Sequence, residues 1–303
     1  MGKILVVGLC CLDVVNYVQK FPKEDSDTRV FEMETVLGGN AANNCTVLGQ
    51  FDAEATVLCA ALPNNDPMLE KLISEYHLNV IRINREKNRV PISTCIVNLS
   101  NGTRTILHFR GDIGEITAKE FEEKFTDLSE YSWIHFEGRN FDELDKIIEY
   151  CKAKIDKNRC KISVELEKIR DFDWYTKIIP LADVIFISKD FSRNLGFNSM
   201  NEAINGFVER FRLQQTTVIV PWGEEGASAR IASSPSIFFE PAFKPEKLVD
   251  TLGAGDSFIG SALYFLNNRN SLQNVLKNAV KVAGTKCGQR GLRNLSLDII
   301  HDQ

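Results

Sequence analysis

What this 303-residue sequence lacks removes whole classes of function. No apolar run approaches the roughly 20 residues that a bilayer span needs. The apolar opening, residues 4–12, stops at Asp13 and has only Lys3 as a basic flank. It also lacks the small-residue cleavage site of a secretory leader, and reads as a buried first strand. Met1-Gly2 is followed by Val6 where myristoylation needs Ser or Thr. Histidine is scarce, at 77, 108, 135 and 301, and the eight cysteines form no C-x-x-C pair, so no zinc spacing arises. Thiols in a chain of this length without a leader read as reduced and buried, which points to the cytoplasm. The absence of G-x-x-x-x-G-K-[ST] excludes a P-loop kinase, and Val7-Gly8-Leu9-Cys10-Cys11-Leu12 is no dinucleotide fingerprint. Positive charge is not in excess either. With 36 basic and 41 acidic side chains the net charge is −5, which disfavours nucleic acid and anionic membranes as main partners.

Hydrophobic residues make up 44% and charged residues 25%, ordinary usage for a globular chain of one large domain or two modest ones. Apolar runs of strand length alternate with amphipathic helical stretches. Strands are expected over 4–9, 55–62, 133–137, 161–167, 183–188 and 217–220. Helices are expected over 40–51, 67–78, about 117–131, about 257–266 and 272–287, with others opening near 140 and 199. Thr117 with Glu120 is a capping box, and Asn140 and Ser199 read as further N-caps. The alternation implies an α/β fold with a mostly parallel sheet covered on both faces. Two stretches break it. Residues 13–37 have no helical period, and the runs 90–98 and 103–109 flank Ser100-Asn101-Gly102, a hairpin signal. Both stretches look antiparallel and predict a small β lid. The domain reading is an α/β core over 1–11, 38–89 and 113–303, with a lid subdomain over 12–37 and 90–112.

The strongest chemical signal is Asp250-Thr251-Leu252-Gly253-Ala254-Gly255-Asp256-Ser257-Phe258. Small residues at Gly253, Ala254 and Gly255 let backbone amides approach a ligand at a helix N-terminus, where the dipole favours anions. Asp256 then stands in the first turn, a carboxylate beside an anion hole. That placement makes chemical sense in phosphoryl transfer, with Asp256 taking the proton of an attacking hydroxyl. The bland alternative is a glycine-rich helix cap. The second signal is Leu37-Gly38-Gly39-Asn40-Ala41-Ala42-Asn43-Asn44. Asn40 and Asn43 are one helical turn apart, and two amides on one face suit a polyhydroxylated ligand. Taken alone, Asn40 reads as an N-cap. Asp13, just after the first strand, falls at the carboxyl edge of the sheet, where open α/β sheets bind ligands. Glu137 is a further pocket candidate. His135 reads as a core residue, Cys287 as buried packing, and most of the run Lys277, Lys281, Lys286, Arg290 and Arg293 as a solvated helix face.

These two segments resemble the signature motifs of the ribokinase (PfkB) family of sugar and nucleoside kinases. The resemblance runs from Leu5-Val6-Val7-Gly8 to Lys286-Cys287-Gly288 and includes Gly102-Thr103-Arg104-Thr105-Ile106, Glu137-Gly138-Arg139-Asn140, Ser163-Val164-Glu165 with Glu167-Lys168, and Trp222-Gly223-Glu224-Glu225-Gly226. Within the family it is nearest to the branch that phosphorylates the C1 hydroxyl of D-fructose. The resemblance implies a ribokinase-like three-layer αβα sandwich with a β-clasp lid, ATP and magnesium as cofactors, and K+ as an activator beside the glycine loop. It implies sugar contacts at Asp13, Gly39, Asn40 and Asn43, a catalytic base at Asp256, and an anion hole at Gly253, Ala254 and Gly255. Around ATP it implies Arg104 and Lys189 near the phosphates, with Gly223, Glu224, Glu225, Gly226 and Cys287 beside the nucleotide. It further implies a homodimer clasped through the lids, with Asp25 approaching the partner's active site. Where many members carry Asn-x-x-Glu, linked to magnesium, this chain has Ser188-Lys189-Asp190-Phe191, so no residue is assigned to the metal. Two alternatives stay open: a relative acting on ribose, a ketodeoxy sugar acid or adenosine, and a catalytically silent sugar or nucleotide binder.

Overall fold

A computed structural model describes residues 2–86, 89–168 and 172–301; the remaining positions of the expected core ranges lie outside the described residues. The chain runs β1 (Lys3–Val7), β2 (Cys11–Val18), β3 (Glu32–Gly38), α1 (Asn40–Phe51), β4 (Thr56–Pro63), α2 (Pro67–Glu75), β5 (Val80–Arg85), β6 (Ile92–Asn98) and β7 (Arg104–Phe109). It continues with α3 (Ala118–Lys124), β8 (Tyr131–Glu137), α4 (Leu144–Lys154), β9 (Lys161–Leu166), α5 (Phe172–Ile178), β10 (Val184–Ile187), α6 (Lys189–Asn194), α7 (Met200–Arg210) and β11 (Thr217–Pro221). It closes with β12 (Ala227–Ile231), β13 (Phe238–Glu240), α8 (Ala254–Asn267), α9 (Leu272–Cys287) and α10 (Asp298–His301).

One sheet has the order β13-β12-β11-β10-β9-β8-β1-β4-β5, parallel throughout except for β12 and β13 at one edge. Its faces follow from the two-residue period of a strand. In β1, Leu5 and Val7 join the core under α3, α4, α5 and α7, while Ile4 and Val6 join the core under α1, α2, α8 and α9. The result is the expected three layers, with β1 in the interior of the sheet and buried on both faces.

The second sheet has the order β3-β2-β6-β7 and its own small core of Val15, Tyr17, Cys95 and Val97. The two hairpins are antiparallel as expected, but β2 and β6 pair in parallel. The reason is topological. β2 follows β1 and β6 follows β5, two parallel core strands, so both enter the small sheet travelling the same way.

The Thr117 capping box forms, with Glu120 N on Thr117 Oγ1 at 3.2 Å and Thr117 N on Glu120 Oε2 at 2.9 Å. Ser199 caps α7. Asn140 caps nothing: it sits at φ +62°, its Nδ2 donates to the Ile116 carbonyl at 2.7 Å, and α4 begins only at Leu144. The helix opened at Thr117 stops at Lys124, short of the expected Tyr131, because Asp127 turns the chain by accepting from Ser129 N at 2.8 Å. The strands β5, β12 and β13 are additions to the expected set: β5 and β13 are half-buried edge strands, and β12, buried over its first three residues, is built from small and polar side chains, so none carries a continuous apolar run.

Candidate active site

The site lies at the carboxyl ends of the parallel strands, where the chain leaves β1, β8 and β9. Gly39, at φ +91°, follows β3 and stands as the N-cap of α1. A Cβ there would lie 2.5 Å from the Leu9 carbonyl, so glycine is needed for the helix start to close on the segment after β1. Gly39 therefore holds the cap position that Asn40 was expected to take, and the Asn40 side chain is released. Its Nδ2 reaches Glu165 Oε1 at 3.1 Å and Glu167 Oε2 at 3.2 Å. One turn on, Asn43 Nδ2 donates to Asp256 Oδ2 at 2.7 Å. The two helices carrying these residues, α1 and α8, pack tightly enough that a Cβ on Gly260 would fall 2.9 Å from the Asn44 carbonyl.

Asp256 lies in the first turn of α8, whose N-cap is Gly253 at φ +79°. Burial pushes its carboxyl up to about 7; the Asn43 hydrogen bond pulls the other way, while Glu167, Glu137 and Asp13 add to the rise. Glu137 and Glu165 stand side by side, because β8 and β9 pair in register at these two positions. Burial raises both. Glu137 Oε2 accepts from Leu9 N at 2.7 Å, and Arg139 approaches its other oxygen at 3.4 Å.

Asp13 lies on β2 of the small sheet, in register with Val36 and Ser93, and borders the site at the carboxyl ends of the main sheet's strands. It is buried, and desolvation lifts its carboxyl above the usual range. A Cβ on Gly38 would sit 2.2 Å from its carboxyl carbon, so the paired glycines also make room for Asp13. Arg104 opens β7 and its Nη1 lies 3.3 Å from Thr251 Oγ1, which ties the hairpin to the glycine loop.

A cavity of about 420 Å³ brings together Asp13, Gly39, Asn40, Asn43, Arg104, Glu137, Gly253, Gly255 and Asp256. That volume suits a small metabolite. Ala254 is outside it, and its amide closes a turn on the Thr251 carbonyl at 3.3 Å. Lys189 is also outside: its Nζ is paired with Glu224 at 2.7 Å and Glu225 at 3.7 Å, in the 3₁₀ turn Gly223–Glu225. Gly226, at φ +108°, closes that turn. Cys287 is half-buried, and its carbonyl accepts from Val249 N and Asp250 N, just ahead of the glycine loop.

Two features differ from the sequence reading. Lys286, taken as part of a solvated face, is fully buried. Its Nζ is bonded to Asp250 Oδ2 at 2.6 Å, the Asp250 carbonyl at 2.9 Å and the Gln289 carbonyl at 3.4 Å. Glu165, Ser93 and His108 line the cavity and were not singled out. For Glu165 a signal existed: a polar pair, Glu165 and Glu167, closing an apolar strand at its carboxyl end. Ser93 and His108, linked at 3.1 Å, gave none, since exposed and cavity-facing residues alternate alike on a hairpin. His135 is a core residue, as read: fully buried, bonded to Ser163 Oγ at 2.8 Å, and held neutral by burial, which lowers it to about 3.

Comparison with known proteins identifies the lineage. Residues 1–299 match the family described as pfkB family carbohydrate kinase. Over 297 residues the chain is 36% identical to the ketohexokinase of Mus musculus, covering 95% of this chain and 97% of the mouse protein. The fold is shared with a ribokinase from Giardia lamblia, at TM-score 0.87 and 16% identity, over 100% of this chain and 98% of that one. It is also shared with a ribokinase from Cryptococcus neoformans solved with ADP, at TM-score 0.80 and 15% identity, over 99% of each chain. A nearly end-to-end match of sequence and of fold leaves one conclusion: the chain belongs to the pfkB family of carbohydrate kinases.

Proposed function

We propose that this protein is a ketohexokinase that transfers the γ-phosphoryl group of ATP to the C1 hydroxyl of D-fructose. The observation that carries the reading is the pairing of Asp256 with Asn43 at the N-terminus of α8, across one cavity from Asp13 and Asn40. The sugar lies among Asp13, Gly39, Asn40 and Asn43, its primary hydroxyl toward Asp256. Asp256 takes the hydroxyl proton as the oxygen attacks phosphorus, and the bond to the β,γ-bridging oxygen breaks. The amides of Gly253 and Gly255 face the charge that grows on the transferred group. The turn bond at Ala254 leaves that residue the weakest of the three for this role. Arg104 reaches the phosphates from the hairpin, which closes over the cavity as a lid and keeps water from the reaction. Lys189 joins them by leaving Glu224. Gly223, Glu224, Glu225, Gly226 and Cys287 flank the nucleotide outside the sugar cavity.

Among the described residues no three side chains form a metal cage, so magnesium fits here as an ion carried by the ATP phosphates, whose charge it offsets. Potassium does not fit beside the glycine loop as expected. The Asp250 and Gln289 oxygens there are already bonded to Lys286 Nζ, and no step is derived through it. All eight cysteines are free, and no helix among the described residues is long and apolar enough to cross a membrane, which suits a cytoplasmic enzyme.

The test is ADP release with ATP and magnesium, comparing D-fructose, D-ribose, adenosine and D-glucose, with the product identified by NMR. Fructose 1-phosphate is the expected product. Turnover of another member of the panel moves the substrate reading but keeps the mechanism. A folded protein that binds ATP and turns over none of them is a silent binder. The rate also reports on the base. Because Asp256 must be ionised to act, kcat/KM for fructose rises with pH and levels off above an apparent pKa near 7. A flat profile from pH 5.5 to 8.5 counts against Asp256 as the base.

The lid supports a homodimer. In β7, Arg104, Ile106 and His108 line the cavity, so Thr105, Leu107 and Phe109 face away from it. Leu107 and Phe109 are exposed on this edge strand, as are Phe31 and Met33 at the opposite side of the sheet. Bare apolar edges of this kind invite pairing with a second sheet. Light scattering at micromolar concentration is expected to give twice 34.2 kDa for the protein and 34.2 kDa for Leu107→Glu.

A further inference from the structure

Glu165 is the last but one residue of β9, is 6% exposed, and has no part in the mechanism above. Its Oε1 accepts from Asn40 Nδ2, while its Oε2 is buried and has no hydrogen-bond partner. A buried carboxyl oxygen left unpaired is costly and rare. Glu165 nevertheless lines the cavity that holds Asn40, Asn43 and Asp256. Its backbone is rigid: β9 pairs it with Glu137 on one side and with Phe186 on the other. The chain also presses on it, since a Cβ on Gly138 would lie 2.0 Å from the Glu165 carbonyl. A side chain on such a scaffold is held in place more strictly than one on a loop.

The rest of the sugar subsite is rich in acceptors. Both bonds of Asn40 Nδ2 go to carboxyl oxygens, and Asn43 Nδ2 is given to Asp256. That leaves Oδ1 of each amide for a ligand, together with the carboxylates of Asp13 and Asp256. Such a wall takes hydrogens from hydroxyl groups but offers few in return.

We propose that Glu165 is a substrate-positioning residue, which fixes Asn40 through Oε1 and gives Oε2 to a hydroxyl oxygen of a neutral polyol. The assignment rests on the sugar-kinase reading above. Oε2 can donate because the carboxyl is kept neutral by burial and by the charges of Asp256, Glu167 and Glu137. The sugar thus completes a hydrogen bond that the protein alone leaves unmade.

Two substitutions in the full-length protein test this, read by steady-state kinetics with ATP and D-fructose and by thermal melting. Glu165→Gln keeps one acceptor and one donor in the same shape, and is expected to hold the fructose KM within about threefold of the parent. Glu165→Leu removes both and is expected to raise the fructose KM at least tenfold, leave the ATP KM unchanged, and melt no lower than the parent. An unchanged fructose KM in Glu165→Leu overturns the proposal. So does a Gln variant as damaged as the Leu variant, because Oε2 would then act as an anion. A Leu variant that melts lower or does not fold makes Glu165 structural, which overturns it too. If the parent consumes D-ribose but not D-fructose, the fructose reading alone fails, and the same comparison on ribose decides the role of Glu165.

Discussion

Replacing Asp256 with Asn lowers kcat by about 10²–10⁴-fold, the range a positioned general base supplies, and leaves the fructose and ATP affinities nearly unchanged. Asn keeps the shape of the side chain and can still bond to Asn43, so the sugar subsite survives. The same substitution makes the protein more stable at pH 8. Burial raises the Asp256 carboxyl from 3.8 to about 7 in the folded state. A carboxyl raised by folding contributes its full stability below the unfolded value and loses it as pH climbs through the folded value. At pH 8 the parent therefore carries an ionised, poorly solvated carboxylate, and the Asn variant does not. After discounting for water in the open cavity, the gain is roughly 1–2 kcal/mol, or a few degrees in melting temperature. It should shrink toward zero near pH 4, where the parent carboxyl is protonated in the folded protein. Melting curves at pH 4.5 and 8, with turnover measured beside calorimetric sugar binding, check both halves. Normal turnover in the variant would remove Asp256 from the base role.

The largest loss of stability is expected from Lys286→Met. Lys286 is fully buried and Asp250 is 3% exposed, with 2.6 Å between Nζ and Oδ2. Removing one partner of a buried pair leaves an uncompensated charge, at a cost of about 3–5 kcal/mol. The damage reaches the chemistry as well. Asp250 Oδ1 accepts from Leu252 N at 2.8 Å, one residue before Gly253, so the pair sets the conformation of the glycine loop. The double variant Lys286→Met with Asp250→Asn removes both charges and should recover a large part of the lost stability but little of the lost kcat, because the amide oxygen can still accept from Leu252 N but no ammonium fixes the side chain or the Asp250 carbonyl. Denaturant titrations of the two single variants and the double give the coupling. A Lys286→Met single variant within 1 kcal/mol of the parent would show that the pair contributes little.

The legible part of the fold was the part that repeats locally. Buried parallel strands such as β1 and β10 are apolar on both faces and stand out as runs. Strands interrupted by polar side chains, such as β5 with Arg82, Asn84 and Arg85 among its six residues, do not. The Thr117 box was readable because all its partners lie within three residues. The cap at Asn140 was misread because its side chain bonds to Ile116, 24 positions away. Lys286 was misread for the same reason: helical spacing places it near other basic residues, but the 249–250 segment covers it and supplies Asp250.

By itself the sequence determined the alternation that makes a three-layer α/β protein, the glycine loop ahead of Asp256, and the shared face of Asn40 and Asn43. Each of these depends on spacing within one turn or one strand. The tertiary structure alone decided that Glu137 and Glu165 stand side by side, through the register of β8 with β9. It also decided that Ser93 of β6 stands beside Asp13 and that Asp256 is lifted to about 7. Charge, desolvation and unpaired hydrogen bonds are properties of what surrounds a group, and for these carboxyls the surroundings come from segments far apart in the chain. A one-dimensional reading could therefore find the carboxyls but not their proton affinities.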